Sequence, residues 1–257
     1  MEQGTQIKLV DKKPLRGPSS SRSTHKGQKT GSSGSPELPP GALLPRSLFR
    51  EPTERVAPRL LGKLLVHKTA TGILAGRIVE VEAYLGPHKQ PPDPAAHSYR
   101  GPTPRNTVIF RTSGHAYVYS IYGRYFCMNV TCEPEGQAGC ILIRALEPTA
   151  NLAHMALNRG LASGAAALQL TSGPSRLCQA LGLTRQDHNG LDLLDPASPL
   201  QLRDDGFRVS EVLVSPRIGI KHAVDWPLRF TLPGHSCVSG PKSWPKIGLK
   251  RLSRRST

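Results

Sequence analysis

Between residues 80 and 129 the chain gathers the side-chain types of an acid–base site beside an aromatic slot. Glu80 and Glu82 stand two residues apart in an apolar, β-rich run, and Tyr84 follows at the same spacing. Side chains alternate across a strand, so these three share one polar face. His97 and Asn106 follow in the next segment, and Asn129 lies just beyond. All six tyrosines of the 257 residues fall between Tyr84 and Tyr125, although aromatic residues make up only 5% of the chain. A carboxylate can take a proton from water or face a developing cation. Aromatic rings stack on flat heterocycles. The formal charge of +16 favours a polyanionic partner, so the residues point to a base-stacking pocket on a basic protein.

The elements that must position these residues are legible from punctuation and period. A helix over 53–61 is closed by Gly62. Runs at 63–68 and 73–84 flank Thr69-Ala70-Thr71-Gly72 and predict a hairpin. Residues 87–106 carry Pro87, Pro91, Pro92, Pro94, Pro102 and Pro104 and read as a loop. Strands are expected at 108–111, 115–122, 125–132 and 140–146, as a meander. In the second of these, Tyr117, Tyr119 and Ile121 point one way and Val118, Ser120 and Tyr122 the other. Beyond Pro148 the pattern turns helical at 152–156 and 174–181, the latter opened by Ser172-Gly173-Pro174 and stopped by Gly182. Strands return at 207–214 and 228–232. Antiparallel strands first and helices later define an α+β domain.

Composition bounds the rest. Residues 1–47 are rich in Gly, Ser and Pro with scattered Lys and Arg, and are expected to be a disordered basic tail. A single folded domain is expected over 48–235, and 236–257 as a second basic tail that could serve as a nuclear address, with the mitochondrion a further destination. No run is long and apolar enough for a membrane helix, and no secretory signal is evident. Cys127, Cys132, Cys140, Cys178 and Cys237 form no paired motif, so buried free thiols are expected instead of a disulfide framework or a structural zinc site. No Gly-rich nucleotide-phosphate fingerprint is present, and no cofactor is expected.

The strings Arg77-Ile78-Val79-Glu80-Val81-Glu82-Ala83-Tyr84-Leu85-Gly86, Ala95-Ala96-His97-Ser98, Thr103-Pro104-Arg105-Asn106 and Tyr117 through Asn129 resemble the alkyladenine, or 3-methyladenine, DNA glycosylases. The resemblance continues through Leu142 to Pro148, Ser172 to Leu181 and Arg217-Ile218-Gly219-Ile220. It implies a single α+β domain with a curved antiparallel β-sheet, a protruding β-hairpin and surrounding helices. It also implies a monomeric, monofunctional base-excision enzyme acting on double-stranded DNA that contains damaged purines. Such an enzyme flips the base out of the duplex.

By the same resemblance Glu82 activates the water, with Arg144 and the main-chain carbonyl of Ile218 helping to hold it. Tyr84, His97 and Tyr119 line the base pocket, and Asn129 at its floor would collide with the 2-amino group of normal guanine. Tyr122 wedges into the duplex. Thr103, Arg105, Arg124 and Arg176 are DNA-contacting candidates. Glu80 is either structural or a like-charge neighbour of Glu82, and Arg144 could equally serve a structural ion pair. No Lys matches a position suited to attack the sugar carbon, so no lyase step is implied. Two other readings remain: a non-catalytic DNA-binding module of the same fold, and a metal-dependent hydrolase using His97, Glu80 and Glu82.

Overall fold

The computed structural model describes residues 41–252. Most of the tail expected over 1–47, and the last residues of the one expected over 236–257, fall outside this range. Among the described residues ten strands form one antiparallel sheet: β1 (Ala42–Leu43), β2 (Leu64–Thr69), β3 (Gly72–Tyr84), β4 (Ala116–Ile121), β5 (Tyr125–Thr131), β6 (Cys140–Ala150), β7 (Leu200–Asp204), β8 (Glu211–Ser215), β9 (Arg229–Thr231) and β10 (Gly248–Arg251). Six short helices accompany it: α1 (Arg46–Phe49), α2 (Thr53–Val56), α3 (Leu152–Asn158), α4 (Ala167–Thr171), α5 (Pro174–Leu181) and α6 (Arg185–His188). The expected α+β class is what these elements build.

The sheet is organised around β3, which is long enough to take three partners. Along one edge it pairs with β6 from Ala75 to Tyr84. Along the other, residues 72–77 pair with β2 and residues 80–82 with β9. The main path runs β1-β7-β2-β3-β6-β5-β4, while β9 leads to β8 and β10. Three register shifts interrupt the β3–β6 ladder: one between Ala75 and Gly76, and a close pair between Ile78 and Glu80 and between Glu80 and Val81. In the close pair the partner numbers place the extra residue at Val79 and then at Arg144. Bulges of this kind re-aim side chains, and this pair lies beside Glu80 and Glu82.

Packing turns the expected polar face of β3 inward: Glu80 and Glu82 are both fully buried. Helix α5 packs on β5 and β6 through Leu177, Cys178, Ala180 and Leu181, a helical i, i+3, i+4 face. Each leucine contributes about 1.5–3 kcal/mol by leaving water. The helix stops at Gly182, whose φ of 68° costs a glycine little.

Several sequence expectations need correction. The strand expected at 108–111 is a 3-10 turn over Thr107–Phe110. Val108 and Ile109 are both buried, which a half-buried strand with alternating faces would not allow. The strand expected from 207 begins only at Glu211, and Phe207 lies under the Arg77 guanidinium at 4.2 Å. The helix expected over 53–61 divides into α2 and a 3-10 turn over Ala57–Leu60, where Pro58 lacks the amide that an α-helix would use. Sheet pairing reaches beyond 48–235 on both sides, through β1 and β10. All five cysteines are free and buried. No helix among the described residues is long and apolar enough to cross a membrane.

Candidate active site

Glu82 sits near the C-terminal end of β3 with both carboxylate oxygens held. Oε1 accepts the Ile218 amide N–H at 2.7 Å. Oε2 accepts the Tyr84 hydroxyl at 2.9 Å and Nη1 of Arg144 at 3.2 Å. Nη1 of Arg144 also lies 3.4 Å from the Ile218 carbonyl. The motif residues of β3, β6 and the 216–222 segment therefore converge on one carboxylate.

Glu80, two residues earlier, anchors the rest of the network. Its Oε1 accepts from Nε of Arg144 at 2.9 Å and Nε of Arg229 at 2.7 Å, and its Oε2 accepts the Ser239 amide at 2.6 Å. Burial works against the charge of Arg144, but the carboxylates of Glu82 and Glu80 outweigh it and hold its pKa above the ordinary guanidinium value. Glu80 and Glu82 are thus committed to arginines, amides and a tyrosine, and not to a zinc set with His97. Among the described residues no group of three His, Cys, Asp or Glu side chains is placed to hold a metal ion.

In front of this network lies a cavity of about 690 Å³. Tyr84, His97, Tyr119, Asn129, Arg144 and Ile218 all line it, as do Arg105 and Tyr122. The His97 and Tyr119 rings meet edge to face with centroids 4.5 Å apart. Burial pushes the hydroxyl pKa of Tyr84 and of Tyr119 well above the ordinary phenol value, and Glu82 adds to the effect at Tyr84. Both remain neutral donors. His97 stands at the rim with one side open to solvent; desolvation of its inner side and the nearby Arg105 lower its pKa. Its Nδ1 lies 2.9 Å from the Tyr117 hydroxyl. With that hydroxyl donating, Nε2 carries the proton and is free to donate. Asn129 is buried, and its Nδ2 donates to the Tyr117 carbonyl at 3.2 Å.

The remaining candidates lie outside the cavity lining. Thr103 is exposed, and its amide donates to Oδ1 of Asn106 at 2.6 Å. Arg124 is exposed at the β4–β5 tip, 5.0 Å from the Tyr125 ring. Arg176 is exposed on α5. Tyr122 is not part of β4: it adopts a left-handed backbone with φ 50° and is 89% exposed. Strand alternation therefore does not set its direction, and it borders the cavity mouth alongside Tyr119.

Several residues of the site escaped sequence reasoning. Arg229 and Ser239 complete the Glu80 cage, yet Ser239 lies in the stretch expected to be a tail. Lys221 and His222 reach the cavity mouth. Asp93 and Arg217 form a fully buried pair. Arg217 stands in a recognised motif, and Asp93 is a lone acid among prolines, a signal available but unread.

Residues 47–236 match the family model described as methylpurine-DNA glycosylase. A Koribacter versatilis protein named "Putative 3-methyladenine DNA glycosylase" is 50% identical over 201 residues, 78% of this chain and 95% of the relative. Proteins of the same name from Rhodopseudomonas palustris and Methanoculleus marisnigri are 49% and 47% identical, over 78% and 76% of this chain and 90% and 98% of theirs. The class is therefore that of the DNA glycosylases, hydrolases whose substrate is DNA. More narrowly, the chain belongs to the methylpurine-DNA glycosylase family.

Proposed function

We propose that this protein excises alkylated and deaminated purines from duplex DNA, among them 3-methyladenine, 7-methylguanine, hypoxanthine and ethenoadenine, and leaves an abasic site. The observation that carries the reading is the Glu82 carboxylate, fully buried and fixed by three donors beside an aromatic cavity wide enough for a purine. Tyr84 and Tyr119 stack on the extruded base, and His97 stacks and donates from Nε2. Stacking of about 1–3 kcal/mol per base offsets the few kcal/mol needed to unstack a damaged one. Asn129 at the floor excludes the 2-amino group of guanine. Tyr122 occupies the space the base vacates, while Thr103, Arg105, Arg124 and Arg176 meet the phosphates or groove.

Oε2 of Glu82 already accepts two donors, but Oε1 accepts only the Ile218 amide and keeps a second lone pair, through which the carboxylate can still accept a proton from water. That proton passes to Glu82 as the water oxygen bonds to C1′ of the deoxyribose. The C1′–N bond breaks, and the base departs with its electron pair. A cationic alkylpurine leaves neutral, whereas a neutral lesion takes up a proton as it goes. Arg144 and the Ile218 carbonyl orient the water, and the Glu82 charge faces the sugar cation.

The test is a duplex panel carrying one lesion each, incubated with protein and cleaved with alkali. Strand cleavage at the lesion is expected, and the absence of abasic product for every lesion refutes the reading. Borohydride should trap no protein–DNA adduct, because no Lys matches a family position suited to attack the sugar carbon. Salt-sensitive binding without lesion preference, and unchanged by Glu82→Gln, would favour the non-catalytic module instead. The protein acts as a monomer. Its relatives named above are bacterial and archaeal, so a nuclear or mitochondrial address rests on the basic tails alone.

A further inference from the structure

Behind the aromatic cavity lies a buried ion pair with no part in the chemistry just described. Arg217 donates from Nη1 to Oδ2 of Asp93 at 2.5 Å and from Nη2 to Oδ1 at 2.9 Å, with both side chains fully out of solvent. A buried pair is weak evidence for stability, since desolvation offsets much of the attraction and an apolar pair often does as well. Its position is more informative than its strength.

Three segments of the candidate site meet on this pair. From the end of β3, the Ala83 carbonyl accepts from Nη1 of Arg217 at 3.0 Å, and just beyond the strand the Leu85 amide donates to Oδ2 of Asp93 at 3.0 Å. From the Pro-rich loop, the Ala95 amide donates to Oδ1 of Asp93 at 3.0 Å, two residues before His97. From the third segment, Arg217 directly precedes Ile218, whose amide holds Oε1 of Glu82. The Arg217 guanidinium also lies 4.6 Å from the centre of the Tyr84 ring, within cation–π range. That ring carries the hydroxyl bonded to Oε2 of Glu82.

We propose that Arg217, clamped by Asp93, is a positioning residue that sets the plane of Tyr84 and the Ile218 amide, and through them the orientation of the Glu82 carboxylate. The inference rests on the glycosylase reading above. It predicts a defect in the chemical step larger than any loss of lesion binding, because the Tyr84 hydroxyl and the Ile218 amide both hold Glu82, whereas the stacking by Tyr119 does not depend on the pair.

The test compares full-length wild type with Arg217→Lys and Asp93→Asn in single-turnover excision of hypoxanthine at saturating enzyme, alongside lesion-duplex affinity and thermal unfolding. Lysine keeps the charge but loses the planar fork. Misplacement of a catalytic group by an ångström costs about 100-fold, so a fall of at least about tenfold in rate is expected, with affinity within about threefold and the unfolding midpoint well above the assay temperature. Should the single variants unfold, the neutral pair Asp93→Asn with Arg217→Gln keeps the shape without a buried charge and is expected to show the same rate loss. Folded variants excising within twofold of wild type overturn the proposal, as does a rate loss that merely follows the unfolded fraction or the loss of affinity. Failure of the glycosylase reading is distinct, since wild type itself then releases no base.

Discussion

Arg144 reaches Oε2 of Glu82 at 3.2 Å from the neighbouring strand, at the position where a bulge in β6 sets it against Glu80 and Glu82. The same guanidinium serves Glu80 at 2.9 Å, so one cation is shared by two buried carboxylates. Arg229 can neutralise Glu80 alone, but only Arg144 gives Glu82 a cationic partner within salt-bridge distance among the described residues. Replacing Arg144 by methionine keeps much of its volume and leaves that carboxylate buried without a counter-charge. A loss of about 3–5 kcal/mol in urea unfolding is expected. A loss below about 1 kcal/mol would mean that the pair behaves like a surface contact and that Arg144 is there for substrate alone.

Glu82→Gln tests the chemistry separately from the architecture. The amide oxygen can still accept from the Ile218 N–H, so the loop stays docked, but glutamine cannot accept a proton from water. Base release should fall by a factor of about 10²–10⁴ or more. Lesion-duplex affinity, read by gel shift, should stay within a few-fold of wild type. Undiminished release would remove Glu82 from the mechanism.

How much of this was legible depended on whether the signal was local. The β3 face, the helix at 174–181 and the hairpin tip follow from period and turn residues, and the structure has them close to where the pattern puts them. The bulge at Arg144 left no mark in the sequence, because it depends on register against a strand some sixty residues away. The Pro91-Pro92-Asp93-Pro94 stretch reads only as loop until Arg217 is seen to fill it. Strand β10 was illegible for another reason: Gly248, Leu249, Lys250 and Arg251 are all exposed, so the strand is made by backbone pairing to β8 and carries no buried face.

His67 and His188 give the fold a defined sensitivity to acid. Nδ1 of His67 lies 2.7 Å from the Leu181 carbonyl and must carry a proton to donate. The Thr184 amide donates to Nδ1 of His188 at 3.1 Å, so His188 is protonated at Nε2, which lies 3.1 Å from Nε2 of His67. Two neutral imidazoles complete this chain, and a further proton on either one breaks it. Burial lowers both pKa values. The unfolded chain therefore binds more protons once pH falls below about 6.5, and stability that is complete above that value is lost as pH drops through the depressed folded values. The thermal midpoint should hold between about pH 8 and 7 and fall between about pH 6.5 and 5. In His188→Gln the fall should be shallower, and an unchanged slope would assign the acid sensitivity elsewhere.

Tyr122 separates a DNA role from a structural one unusually cleanly. It is 89% exposed and holds a left-handed φ of 50° that a glycine would adopt without strain. Tyr122→Gly should leave the unfolding midpoint equal or raised. Lesion-duplex affinity should fall by roughly tenfold, within the range of one lost stacking contact, whereas Tyr122→Phe should stay near wild type. Equal affinity in the glycine variant would remove the wedge.

The segment after residue 236 lies beyond the family match, yet it closes the site from behind. The Ser239 amide donates to Oε2 of Glu80, its carbonyl accepts from Nη2 of Arg229 at 2.9 Å, and its hydroxyl lies 3.4 Å from Nη2 of Arg144. Nε1 of Trp244 donates to the Pro216 carbonyl at 3.0 Å, next to Arg217. Strand β10 then covers the edge of β8. Ser239→Ala removes only the long hydroxyl contact and should cost less than about 1 kcal/mol. Ending the chain at Cys237 removes the backbone donor from a buried carboxylate as well, a loss of about 1.5–3 kcal/mol for that hydrogen bond, and bares the β8 edge. The shortened protein should unfold at lower urea and lose excision more steeply than binding, because Arg144 and Arg229 lose their shared anchor while the aromatic cavity keeps its walls. Wild-type midpoint and rate in the shortened chain would show the segment to be an appendage.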